Sequence, residues 1–163
     1  MARKPNYNFE RQERERLKKQ KSQDRADEKA KAEKEMPVSP DPADDKLERL
    51  LQALARGHRD LLVEDRHLFD VYCTATETSR APVRKHRARL RQLLERVLDE
   101  GIATAKFDPR DRDRALAFIS DAVYRFINPP TVRLDAEVPK DILDQRLSTM
   151  IRVVLRALAN GSV

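Results

Sequence analysis

The chain has 163 residues, 38% of them charged and 39% hydrophobic, with a net charge of +6 and no tryptophan. That length suits one domain with an appendage, and the scarcity of aromatic rings excludes a stacking surface for single-stranded nucleic acid. One cysteine, Cys73, excludes an internal disulfide and suits a reducing cytosol, while three glycines exclude a phosphate-cradling loop.

The charge is unevenly spread. Residues 1–36 hold 12 Lys/Arg and 8 Asp/Glu, so +4 of the net charge sits there. Leu17, Ala26, Ala30 and Ala32 are the only aliphatics after Phe9 in residues 1–35. The pairs Glu10–Arg14, Glu15–Lys19 and Glu28–Lys31 have spacings that support a solvated helix. Without a face to dock, residues 1–36 are expected to be a charged tail, either a single solvated helix or disordered coil. Its basic residues would make at most weak, salt-sensitive contact with nucleic acid, and the interspersed acids oppose even that. Pro37, Pro40 and Pro42 define a stiff linker over residues 37–43.

A helical domain is expected from residue 44 to 163. Leu47, Leu50, Leu51, Leu54, Leu61 and Leu62 recur at helical spacing, with Gly57 as a candidate end or kink. Leu68, Phe69, Val71, Tyr72 and Ala75 form a second stripe, closed by Thr78 and Ser79 before Pro82, where the chain either breaks or kinks. Val83, Leu90, Leu93, Leu94, Val97 and Leu98 form a third, ended by Gly101. The span 61–102 is expected to organise the domain. Asp108–Pro109 reads as an N-cap followed by a first helical residue. The next helix carries Leu116, Phe118, Ile119, Ala122, Val123, Phe126 and Ile127 up to Asn128–Pro129–Pro130. The last starts near Pro139, carries Ile142, Leu147, Ile151, Val154 and Leu158, and ends at Asn160–Gly161. Both are apolar on more than one side, so a second copy of the chain is expected to cover the surplus.

Little in the pattern carries chemistry. His67, Cys73 and His86 lack the spacing of a metal site. Cys73 on an apolar stripe reads as a small hydrophobe rather than a nucleophile. No catalytic site, metal or cofactor is expected, so the protein is not expected to be an enzyme. No run of about eighteen apolar residues exists, and no apolar run follows Arg3 and Lys4, so neither a membrane span nor a secretory signal is expected. A cytoplasmic protein follows. Arg84, Lys85, Arg87, Arg89, Arg91 and Arg96 read as the solvated flank of the third helix. The aromatic, small and hydroxyl side chains of the second, third and fourth stripes form either a filled core or a pocket.

The run EDRHLFDVYCTATETSRAPVRKHRARLRQLLERVLDEGIATAKF, followed by DAVYRFINPPTV and LDQRLSTMIRVVLRAL, resembles the C-terminal domain of TetR-family transcriptional regulators. The resemblance covers roughly residues 44–159. It implies an all-α helical bundle, a homodimer through the last two long helices, and a pocket for a small, mostly apolar effector. By position the pocket would draw on Leu68, Tyr72, Cys73, Thr76, Leu94, Phe118 and Phe126. The dimer interface would draw on Val123, Ile127, Leu147, Ile151, Val154 and Leu158. Regulators of this family begin with a helix-turn-helix domain, whose place is taken here by MARKPNYNFERQERERLKKQKSQDRADEKAKAEKE, without a small-residue turn or a core. The expected function is an effector-sensing, homodimerising regulator fragment without its own helix-turn-helix. The alternative is a nucleic-acid- or ribosome-associated protein acting through its tail.

Overall fold

A computed structural model describes residues 41–163 and, before them, Glu15, Arg16, Gln20 and Gln23, which are helical and exposed. The remaining expectations for the tail and for residues 37–40 lie outside the described residues. The chain divides into two units, residues 1–40 and 41–163.

The second unit is built from α1 (Ala43–Glu64), α2 (Arg66–Glu77), α3 (Ala81–Ala103), α4 (Arg112–Ile127), the short α5 (Pro129–Leu134) and α6 (Lys140–Ala159). Helix α1 is the hub and touches all five others. The organising element therefore begins one helix earlier than the 61–102 span. The reason is visible in its repeat: Ala43, Leu47, Leu51 and Ala55, four apart, form a fully buried stripe. Asp44 and Asp45 face the positive end of its dipole. Each leucine buried this way contributes about 1.5–3 kcal/mol. Gly57 neither ends nor kinks α1, which runs on to Glu64 with open space beside the glycine.

At Asp65 the chain turns, and its carboxylate accepts a hydrogen bond from the Leu68 amide to start α2. Between α2 and α3 there is a true break: Thr78 caps one helix, Ser79 sits at φ 49°, and Arg80 precedes Ala81–Pro82. The basic residues Arg84, Lys85, Arg87, Arg89, Arg91 and Arg96 are all exposed on α3. Helix α4 starts later than Asp108–Pro109 suggested. Asp111 is the N-cap, accepting from the amides of Asp113 and Arg114. Asp108 instead donates its amide to the Leu158 carbonyl, at 2.8 Å, at the end of α6.

The main core joins Leu47, Leu51, Leu94, Leu98, Ile119, Val123, Ile151, Val154 and Leu158 from four helices. Phe118, Ala122, Phe126, Ile127 and Leu155 pack partly buried against it. A smaller core gathers Phe69, Cys73 and Val132 with Leu61 and Leu62. Most of the apolar surface of α4 and α6 is thus covered within one chain. What they leave outside is Tyr124, Ile142 and Val153.

Candidate functional site

Helices α1, α4, α5 and α6 do not close completely, and a cleft of about 500 Å³, counting its open mouth, lies between them. From α1 come Ala55, Arg59, Leu62 and Val63, and from α4 Arg125 and Phe126. Val132, Asp135 and Ala136 come from α5 and the turn after it, and Leu143, Asp144 and Leu147 from α6. The α1 residues are one to two turns apart, so one helical face presents them together.

Two polar features organise this apolar cleft. Arg125 grips Asp135 bidentately, Nε donating to Oδ2 at 2.8 Å and Nη2 to Oδ1 at 2.6 Å. Those hydrogen bonds hold the buried Asp135 carboxyl below the usual carboxylate range, against the opposing effect of burial, with Arg146 and Arg59 adding to the pull. Arg59 is less well served. Its Nη2 donates to the Val138 carbonyl at 3.3 Å, while Nη1 is buried and has no partner among the described residues. Arg59 and Asp144 also line an adjoining groove with Arg56, Asp60, Glu64 and Lys140.

A second polar group involves the neighbouring residue on α1. His58 meets Tyr72 of α2 with ring centroids 5.6 Å apart and planes at 46°. Burial, then the nearby His86, pushes the His58 imidazole below its ordinary range, against a backbone hydrogen bond at Ile127. His58 Nδ1 and the Thr76 hydroxyl are buried without partners among the described residues. Tyr72 is pushed up, first by burial, as is Cys73.

Of the seven residues expected to line a pocket, only Phe126 borders the cleft. Tyr72 and Thr76 share the α2 face beside His58, at i and i+4. Cys73 is in the smaller core and Leu94 in the main one, with Phe118 packed against the latter. Leu68 is half-exposed on the outside. Of the six residues expected at a dimer interface, Val123, Leu147, Ile151, Val154 and Leu158 are buried within one chain, and Ile127 is partly so. Sequence reasoning passed over Arg59, Arg125, Asp135 and His58. The one readable signal was an arginine and an aspartate ten residues apart across the Asn-Pro-Pro elbow.

A helical body built on one central helix, with an apolar side cleft carrying few polar groups, has the form of a small-molecule-binding helical domain. Residues 43–154 match the family described as "Tetracyclin repressor-like, C-terminal domain", and the chain belongs to that family. It thereby carries the ligand-binding and dimerisation domain of a TetR-like regulator, a kind of domain that is regulatory rather than catalytic. Such domains typically dimerise and bind small-molecule effectors. No curated protein matches the chain. No solved structure matches it either. No helix among the described residues is long and apolar enough to cross a membrane.

Proposed function

We propose that this chain is the effector-sensing, homodimerising part of a TetR-like transcriptional regulator, acting in the cytoplasm without a helix-turn-helix of its own. Its effector enters the cleft between α1, α4, α5 and α6. The observation that carries this reading is the cleft itself: a largely apolar lining with a locked ion pair on one side and an underused arginine on the other. The dimer forms through the outward faces of α4 and α6, where Tyr124, Ile142 and Val153 stand exposed. The six residues first assigned to the interface support it from behind.

Methyl-labelled protein titrated with small apolar compounds tests the site, with shifts at Leu62, Leu143 and Leu147 expected and shifts confined to other regions counting against it. Light scattering at micromolar concentration tests the dimer, and a monomer would sink it. A second reading is favoured by the net +4 of residues 1–36: contact with nucleic acid or the ribosome through the tail, the bundle serving only to dimerise it. A mobility shift at low and moderate salt, with the full chain and with one starting at Met36, separates the two. Tail-dependent binding that collapses with salt supports the second; no binding by either chain supports the first.

A further inference from the structure

We infer that the molecule held in the cleft is neutral, mostly apolar and equipped with a carbonyl oxygen, which accepts a hydrogen bond from Arg59 Nη1. This rests on the reading of the cleft as the effector site and adds the chemistry of its occupant.

The argument starts from the arginine. A guanidinium does not lose its proton in a protein, so Arg59 cannot relieve desolvation by becoming neutral. Its Nη1 is shut off from solvent and has no acceptor among the described residues. A buried donor on a charged group left unmade is destabilising, and an acceptor brought in from outside removes that penalty. No lining carboxylate does so. Asp135 has both oxygens engaged by Arg125, and Asp144 forms no ion pair with Arg59.

Charge decides between acceptors. The ionised lining groups are Arg59 and Arg125 against Asp135 and Asp144, which cancel. A carboxylate would bring an uncompensated negative charge among Leu62, Phe126, Val132 and Leu143, close to Asp144. A neutral acceptor meets Nη1 without that cost. Between neutral groups, a hydroxyl carries its own donor, for which Asp135, the carboxylate locked to Arg125, has no free oxygen. A carbonyl has only acceptor sites to satisfy. A ketone, ester, lactone or amide on an apolar body fits both conditions.

Three probes on one nine-carbon skeleton test this by calorimetry and methyl shifts on the intact chain: propiophenone, 3-phenylpropionate and propylbenzene. Propiophenone is expected to bind at least about tenfold more tightly than propylbenzene, the ratio expected of one hydrogen bond to a charged donor. It is also expected to bind more tightly than 3-phenylpropionate. Arg59→Met is expected to abolish the advantage of the ketone while leaving the affinity for propylbenzene within about twofold. The wild-type comparison stands even where that variant folds poorly. Equal affinity for ketone and hydrocarbon would overturn the carbonyl inference and leave the cleft as an apolar effector site. Tightest binding by 3-phenylpropionate would overturn its neutrality. If none of the three shifts the methyls of Leu62, Leu143 and Leu147, the reading of the cleft fails, and the inference with it.

Discussion

The ring of Phe107 lies in the notch left by the missing side chain of Gly101. A Cβ built on that glycine would stand 2.0 Å from the Phe107 Cδ2. The amides of Lys106 and Phe107 both donate to the Gly101 carbonyl, at 2.8 and 3.1 Å, so the chain leaving α3 folds back over its own last turn. The ring is thereby delivered into the main core, 3% exposed, against the end of the helix that precedes it.

Glycine in a helix interior ordinarily costs about 1 kcal/mol relative to alanine, so Gly101→Ala would be expected to stabilise α3. Here the clash wins. We expect a net loss of about 1–3 kcal/mol from overpacking, read from the urea midpoint. In a Phe107→Ala background the same substitution should turn neutral or favourable, a non-additivity that separates the notch from a general helix effect.

His58 supplies a pH prediction. Its folded-state pKa lies below the unfolded value, so between the two the unfolded chain binds the proton and the folded one does not. Stability is therefore full above the unfolded pKa, about 6.5, and falls as pH drops toward the folded pKa. Melting temperatures from pH 7.5 to 5.0 should decline in the wild type and decline less in His58→Gln. His86, Tyr72 and Arg87, the neighbours in this cluster, are left unchanged in that comparison.

The two faces of α6 should respond differently to substitution. Ile151→Ala empties a fully buried site and is expected to cost about 2–5 kcal/mol whatever the oligomeric state. Val153→Lys, on a half-exposed position, should leave the unfolding of the protomer nearly unchanged and shift light-scattering mass toward the monomer. An unchanged mass would place the interface elsewhere.

Loss of the Arg125–Asp135 grip should be felt at α5 first. In Asp135→Asn the amides of Val132 to Val138 are expected to exchange faster, while those of the Ile151 to Leu158 turns keep their protection. The same pair makes the wild type sensitive to acid. A carboxyl held below its usual range contributes stability that is present above about pH 4 and lost as pH falls through the folded value.

Features that act through periodicity are legible in the amino-acid sequence. The stripes of α1, α3 and α6, the stops at Gly101 and Asn160–Gly161, and the solvated arginine flank of α3 follow from helical spacing. The side of a helix is readable; what it faces is not. Val123 and Val154 look the same whether they meet a neighbouring helix or a second copy, because burial within one chain depends on helix crossing rather than composition. The cleft is hidden for a related reason. Arg59, Arg125 and Asp135 resemble ordinary surface charges until α5 brings Asp135 against Arg125. The N-cap was misplaced because Asp108 and Asp111 are both competent, and the bond of the Asp108 amide to the Leu158 carbonyl decides between them.

Pro129 and Pro130 open α5 directly behind Asn128, which sits in an extended conformation at φ −88° and ψ 120°. Neither proline has an amide to continue the hydrogen-bond ladder of α4, and each pushes the residue before it away from helical geometry. The elbow is therefore written into covalent chemistry and does not rely on side-chain packing to persist. A molecule that spreads α5 from α1 would bend the bundle elsewhere before it straightened that corner. Arg133, on α5, lies 3.7 Å from both Asp70 and Glu77 of α2, so α2 is the element that such a movement would carry along.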